Sequence, residues 1–437
     1  MSDSQLTFRA IAPIYSPLSL HLGVDQFSKH FIKSLKEINL VSFNGANDKV
    51  TELNWQGKLL NLGGIQNEGR QYQSTGQNSK DMRLMCWSPN AEDKDQTFNT
   101  QVMFHVFTNH IAIAEVEITI DFSDMETPND SCDELVKFLE NKVQQLGEEV
   151  IEGHFNDFCQ DLQQLTLYLS DDFVFSQNIN ASKVNWVART MIIDDEQLTQ
   201  SKIQRILTSW LKKTSRPEDA ADMINNQKDY AMTWLNYAVK NVKAVGEDPR
   251  LQIMVLSQYY YMAQENCNNA LRGAIESAYS RGTKKRIDKL LANTRTACRL
   301  NQIVYFENIK FLNRPSRALL ESILNGWKFD QLVENSERMI EVCNARLQEE
   351  DNKKRERSTV MTDFLLVTLS FFAVFELSLY LTEFSREMMS RPALDYNDNK
   401  SSFFLGIIAE IDADIMFSFG FGLTLILIIA YRYIKRN

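Results

Sequence analysis

The chain has 437 residues, enough for a core with one or two further subdomains, and a formal net charge of -10. The negatively charged backbone of a nucleic acid binds best to a basic protein surface. Direct nucleic-acid binding is therefore not expected of this acidic chain. Its six cysteines are dispersed without a Cys-x-x-Cys pair, which indicates reduced core thiols.

The N-terminal third is rich in predicted strands. Residues 100–122 alternate apolar and polar side chains around a turn at Thr108-Asn109, and Glu115 and Glu117 lie on the polar side. This period of two predicts an antiparallel hairpin that packs one face on a core and exposes the other. Further short apolar or alternating runs, separated by Gly, Asn and Asp, occur at residues 7–15, 37–43 and 49–60.

Helices follow this strand-rich region. Ser131 and Glu134 form a capping box ahead of a helical apolar pattern. Residues 183–193 predict another strand, and residues 195–212 another helix. This order predicts an α+β domain over residues 1–215.

Residues 216–313 are predicted to contain only helices, with breaks at 246–249 and 281–282. Lys284, Lys285 and Arg286 open one of them, where positive charge opposes the helix dipole. The cluster is either an anion or nucleotide site or a solvated turn. The five histidines have no metal-ligand spacing, although His105 and His110 flank the predicted hairpin turn.

Residues 314–358 predict a stalk helix, because its apolar stripe is weakened only by Gly326 and no proline occurs between Pro315 and Pro392. If it continues through the next apolar segment, it is on the order of 100 Å long. One compact domain cannot cover such a helix, so copies of the chain are expected beside it.

Two apolar segments end the chain, at residues 360–381 and 415–433. Each is close to the roughly 20 residues that a helix needs to cross a bilayer. Residues 359–437 therefore predict a transmembrane hairpin with an outer loop at about 382–414. Lysine and arginine precede the first segment, at 353–357, and follow the second, at 432–436. This pattern predicts a plasma or inner membrane location with both termini in the cytoplasm.

Several polar or small residues within these segments are candidate functional positions. Glu376 and Asp363 are ionisable residues within the first span, where a charge normally faces an aqueous path or a bundle interior. Helical spacing places Thr362 with Glu376 and Ser370 with Asp363. In the second span, small residues four apart favour close helix packing. These are Ser418, Gly420, Gly422 and Thr424.

The order of a soluble α/β domain, a helical middle, a long stalk, two spans and a basic tail resembles the CorA-type divalent-cation transporters. The resemblance covers the whole chain and is strongest at the stalk 316–358, the two spans and the tail 431–437. It implies a homo-pentamer whose first span lines an ion path that the cytoplasmic domain gates. The chain departs from the family at residues 381–389, where LTEFSREMM lacks the Gly-Met-Asn motif, which leaves magnesium selectivity open.

Divergent CorA-like proteins also occur beside type III CRISPR systems, where they are antiviral membrane effectors gated by a nucleotide second messenger. This subgroup implies a small nucleotide as ligand, and the wider family implies a divalent cation. A fainter resemblance is to Rmd-type proteins, which end in one apolar segment after a long helix. A membrane-tethered scaffold that binds a protein partner without conducting remains the alternative. No Walker loop, Gly-x-Ser-x-Gly or His-Glu-x-x-His motif is present, so no enzyme is predicted.

Overall fold

The structure is a computed structural model that describes most of the chain. It divides into two compact units, Met1–Cys343 and Asn344–Asn437. The residues described are 5–20, 57–60, 85–89, 101–107, 109–123, 132–165, 173–175, 184–212, 218–232, 235–279, 284–310, 312–390, 407, 410 and 413–436.

The described part of the first unit is built on a nine-stranded mixed sheet in the order β2-β3-β4-β5-β1-β7-β9-β8, with β6 paired to β1. All neighbouring strands are antiparallel except β7 and β9, which are parallel. The strands are β1 Gln5–Leu20, β2 Gly57–Leu60, β3 Met85–Pro89, β4 Val102–Val106, β5 Asn109–Asp121, β6 Phe173–Phe175, β7 Ala188–Ile193, β8 Tyr230–Met232 and β9 Asn236–Lys240.

Helices cover both faces of this sheet. The helices of the described chain are α1 Asp133–Leu165, α2 Ser201–Leu211, α3 Glu218–Ile224, α4 Pro249–Tyr279, α5 Lys284–Ile309, α6 Arg314–Gly326, α7 Phe329–Ser390 and α8 Ala413–Arg436. Helices α1, α2 and α3 share one apolar core with the sheet, and α4 and α6 share the second. In β1, Phe8 and Ala10 enter the first core and Ile11 enters the second, as the two-residue period of a strand requires.

Several predicted elements are confirmed. β4 and β5 form the predicted antiparallel hairpin, and β1 contains the strand predicted at 7–15. The helix predicted to begin at residue 314 does begin there, and the side chain of Asn313 accepts a hydrogen bond from Ser316 N at 2.9 Å. The strand predicted at 37–43, most of that at 49–60, and the capping residue Ser131 lie outside the described residues.

Three expectations, about the helical middle, the hairpin and the outer loop, are wrong. Residues 216–313 are not all helical, because β8 and β9 continue the sheet. A buried five-residue strand has no period that separates it from a helix. The hairpin does not expose its second face at Glu115, which is 1 % exposed because α4 packs on that side. Residues 382–390 are not loop but the end of α7.

The stalk is also interrupted rather than continuous. α6 ends at Gly326, and α7 begins at Phe329. Between them Lys328 adopts a φ of 56°, a left-handed conformation that cannot continue a right-handed helix. The sequence marked this position through Gly326, but the weakened stripe did not predict a full break.

Within the described residues, one helical segment, Phe329–Glu387, is long and apolar enough to cross a membrane, judged by length and composition. Its most apolar stretch is not buried by the rest of the chain. The part of α8 from Asp414 to Ile426 is a shorter apolar helix.

Candidate functional site

The second unit contains a direct contact between the apolar parts of α7 and α8. The ring of Phe417 lies 5.0 Å from that of Phe375 and 6.3 Å from that of Phe371, both nearly perpendicular. Phe421 meets Phe371 at 5.8 Å in the same edge-on geometry. Aromatic pairs of this kind stabilise a contact by about 0.5–1.5 kcal/mol beyond the area that they bury.

Gly420 permits the closest approach in this contact. A β-carbon at this position would lie 3.1 Å from Val374 Cγ1 and 3.4 Å from Ser378 Oγ. A β-carbon at Gly422 would meet nothing within 4 Å. Of the other two predicted packing residues, Thr424 is buried and Ser418 is exposed.

Glu376 lies on the opposite side of α7. The residues of α7 that meet α8 are Phe371, Val374, Phe375 and Ser378. At about 100° of rotation per residue, Glu376 points roughly 150° away from the centre of that face. Its side chain is exposed in the single chain.

The same helical geometry defines a stripe along this face. Thr362 and Leu369 lie on it together with Glu376, within roughly 40°. Toward the end of α7 the stripe continues through Glu383 and Glu387, within roughly 20° of Glu376. The face of α7 that α8 leaves uncovered therefore changes from apolar to acidic along its length.

Asp363 and Ser370 lie on a flank between these two faces, roughly 70–90° from the centre of the α8 contact. Ser370 is exposed. Asp363 is half-buried and already has an interaction partner. The two predicted carboxylates of the span thus have different surroundings, and Glu376 is the one directed away from α8.

Several hydroxyl groups in the apolar parts of α7 and α8 donate to the carbonyl four residues earlier in the same helix. This arrangement satisfies the donor internally, which is what a low-dielectric surrounding requires. The pairs include Thr362 to Ser358, Thr368 to Phe364, Ser378 to Val374, Thr382 to Ser378, Ser418 to Asp414 and Thr424 to Gly420, all between 2.7 and 2.9 Å.

Lys284, Lys285 and Arg286 form the first turn of α5, as predicted. Their side chains lie outside the described part of the chain, so the structure gives no contacts for the predicted anion site.

A buried ionic network in the sheet domain is the feature that sequence analysis missed. Arg9 on β1 donates from Nη1 to Glu115 Oε1 at 2.8 Å and from Nε to Glu117 Oε2 at 2.9 Å. His105 Nε2 lies 3.1 Å from Glu115 Oε2, and its Nδ1 lies 3.4 Å from Cys86 Sγ. Arg9 could have indicated this network in the sequence, because a charge within an apolar strand needs a buried partner.

This network also fastens a loop to the sheet. Gly246 N donates to Glu115 Oε2 at 3.2 Å, and Arg9 Nη2 donates to Lys243 O at 3.1 Å. Gly246 has a φ of 77°, and a β-carbon there would lie 2.5 Å from Met103 Sδ, so only glycine fits. The loop at residues 243–246 is therefore held by Glu115 and Arg9 together.

Opposing effects act on the Glu115 carboxyl. Burial raises its pKa. The hydrogen bond and charge of His105, the charge of Arg9 and the Gly246 N–H outweigh this effect, so that the pKa lies below its ordinary value. Glu115 is therefore ionised and compensated. His105 contacts Cys86 and Glu115 through opposite ring nitrogens, so the three side chains do not converge on a common point as metal ligands do.

His105 and His110 do not face each other across the hairpin. His110 Nδ1 lies 3.1 Å from Ser16 O, and its ring stacks on Tyr15 at 5.6 Å. Burial lowers the pKa of His110, and its backbone hydrogen bonds only partly offset this. The described residues contain no cluster of three or more metal-ligating side chains.

Comparison of the chain with protein-family models, curated proteins and solved structures finds no match.

Proposed function

We propose that the chain is a subunit of an oligomeric, CorA-like membrane channel in which α7 lines an ion path and the sheet domain gates it. The proposal is supported by the order of elements: a sheet covered on both faces, then helices, then a 62-residue helix that carries a membrane-length apolar segment. The second span is proposed to be α8, which has 24 residues and packs on α7.

The observation that carries the proposal is the position of Glu376. A carboxylate within hydrocarbon costs a few kcal/mol or more, so such residues normally face a partner helix or water. Helix α8 occupies the other side of α7, so within this unit it does not cover Glu376. Copies of α7 arranged around an axis would place these carboxylates on an aqueous path, with α8 outside.

Assembly and orientation complete the proposal. Five copies is the number that the CorA resemblance implies, and mass photometry of the detergent-solubilised chain measures it directly. The basic residues at 353–357 and 432–436 favour cytoplasmic termini. Reporters fused after Asn437 and inserted near Asn397 are expected to be active on opposite sides of the membrane.

The central experiment is ion flux into liposomes that contain the full chain, with Mg²⁺ and K⁺ as separate probes. Glu376→Gln keeps the side-chain volume and removes the charge, and it is expected to reduce cation flux about tenfold without changing the oligomer. Such a change corresponds to roughly 1.4 kcal/mol at the barrier. Glu341→Gln, on an exposed part of α7 outside the apolar segment, is the matched control and should conduct normally.

A non-conducting scaffold is the second candidate, and it is favoured by a different observation. Helix α5 carries four exposed apolar side chains: Leu300, Ile303, Val304 and Phe306. Exposed apolar groups concentrated on one helix mark protein-interaction surfaces. A wild-type chain that assembles in liposomes but passes neither ion would favour this candidate over the channel.

The nucleotide second messenger that the CRISPR-associated subgroup implies stays a prediction about the gating ligand. The divalent cation that the wider family implies is tested by the Mg²⁺ arm of the flux experiment.

A further inference from the structure

Three cysteines from three different helices meet at one place in the first unit. Cys267 belongs to α4, Cys298 to α5, and Cys343 to the first part of α7. Cys298 Sγ donates to the Cys267 carbonyl oxygen at 3.6 Å, and the Cys298 thiol also forms a hydrogen bond with the Cys267 sulfur. They are far apart in sequence, so spacing alone did not reveal the cluster.

The three thiols differ in access to solvent. Cys298 is 2 % exposed and Cys343 is 0 % exposed. Cys267 is only partly buried. Cys267 is therefore the most solvent-exposed of the three residues, and Cys298 is in contact with it.

The electrostatics assign different roles to the two contacting thiols. The hydrogen bond from Cys298 lowers the pKa of Cys267; burial opposes this, and a hydrogen bond from Asn301 adds to it. The hydrogen bond to Cys267 and burial raise the pKa of Cys298, so Cys298 stays protonated as the donor. Elsewhere in the chain burial has its usual effect and raises the pKa of Cys159 to about 12.

We propose that Cys267 is a site of oxidation by hydroperoxides and that Cys298 is its resolving thiol, so that the pair forms a disulfide joining α4 to α5. The Cys267 thiolate attacks one oxygen of hydrogen peroxide, the O–O bond breaks, and hydroxide leaves as Cys267 becomes a sulfenic acid. The sulfur loses two electrons and the peroxide gains them. The Cys298 sulfur then attacks the Cys267 sulfur, and the hydroxyl leaves as water with the Cys298 proton.

The product has a structural consequence. A disulfide bond is about 2.05 Å long, so two sulfurs already in hydrogen-bond contact must move closer. Helices α4 and α5 would then be covalently fixed beside the buried Cys343 of α7.

The test treats the detergent-solubilised full chain with hydrogen peroxide and maps its peptides by mass spectrometry without reduction. The expected wild-type product links Cys267 to Cys298. With dimedone present, Cys298→Ala is expected to accumulate the sulfenic adduct at Cys267. Iodoacetamide should label Cys267 at least about tenfold faster than Cys159, because each pKa unit changes the thiolate fraction about tenfold.

The controls separate this assignment from general thiol oxidation. Cys343→Ala should leave the linked peptide unchanged, and Cys267→Ala should abolish both the disulfide and the adduct. A wild-type map without the 267–298 link, or with Cys267 linked to Cys343, would overturn the proposal. Because the wild-type map is itself decisive, the test does not depend on any variant folding.

Discussion

Gly420 of α8 lies directly against Val374 of α7, with only 3.1 Å between Val374 Cγ1 and the place that a β-carbon on residue 420 would occupy. Gly422, two residues further along the same helix, has no such neighbour within 4 Å. Both glycines occur in predicted small-xxx-small pairs, but only Gly420 is in contact with α7. The two positions therefore form a matched pair for measuring this contact.

We expect Gly420→Leu to weaken the packing of α8 on α7 and Gly422→Leu to have a much smaller effect. Overpacking a close contact costs about 1–3 kcal/mol, whereas the gain in helix propensity from replacing glycine is the same at both positions and cancels. Thermal unfolding of the detergent-solubilised chains measures the difference. Equal melting temperatures for the two variants would mean that Gly420 does not pack as described.

Local patterns in the sequence were sufficient for the hairpin of β4 and β5 and for the apolar segment of α7. Alternation and apolar length are properties of neighbouring residues, so they can be recognised without the fold. The sequence did not show that α4 covers the second face of β5. That burial depends on residues more than a hundred positions apart, and it converts Glu115 from an expected surface residue into a buried one.

In the candidate site, too, the sequence predicts some features and the fold determines the others. Glu376 was recognisable because a charge within an apolar segment is unusual at any position. Its direction relative to α8 required the contacts of Phe371, Phe375 and Gly420, which no spacing rule specifies. The thiol contact of Cys267 and Cys298 likewise depends on how α4 and α5 pack.

The second prediction compares two ion pairs of equal length. Arg9 contacts Glu115 at 2.8 Å with both side chains 2 % exposed, whereas Arg317 contacts Glu321 at 2.8 Å with both about half exposed. Arg9→Leu leaves the buried Glu115 carboxylate without its guanidinium partner and should lower the free energy of unfolding by about 3–5 kcal/mol. Arg317→Leu should lower it by about 0–1 kcal/mol, because water screens the exposed pair.

Urea unfolding of the full chain in detergent measures both values, with fluorescence of the buried Trp87 and Trp210 reporting on the sheet domain. If the two variants lost equal stability, Glu115 would have to be neutral or hydrated in the folded chain. That result would contradict the description of the network.

The last prediction concerns the pH dependence of the same network. Burial raises the pKa of Glu115, but His105, Arg9 and the Gly246 N–H outweigh it, so the folded pKa lies below the ordinary value of 4.5. A carboxyl group with a lowered folded pKa binds protons more weakly in the folded than in the unfolded chain. Its contribution to stability is therefore complete above pH 4.5 and is lost as the pH falls through the folded pKa.

Glu115→Gln removes this titration while keeping the side-chain volume. We expect wild type to be more stable than Glu115→Gln above pH 4.5, and the difference between their melting temperatures to shrink as the pH falls below 4.5. Burial raises the pKa of Asp248, but Arg250 lowers it by more. Asp248 is present in both proteins, so its contribution to the pH dependence cancels in the comparison. The exposed variant Glu341→Gln should differ little from wild type throughout. A Glu115→Gln difference that stayed constant from pH 7 to pH 3, within the range where the chain remains folded, would show that the Glu115 carboxylate is not held ionised by Arg9 and His105.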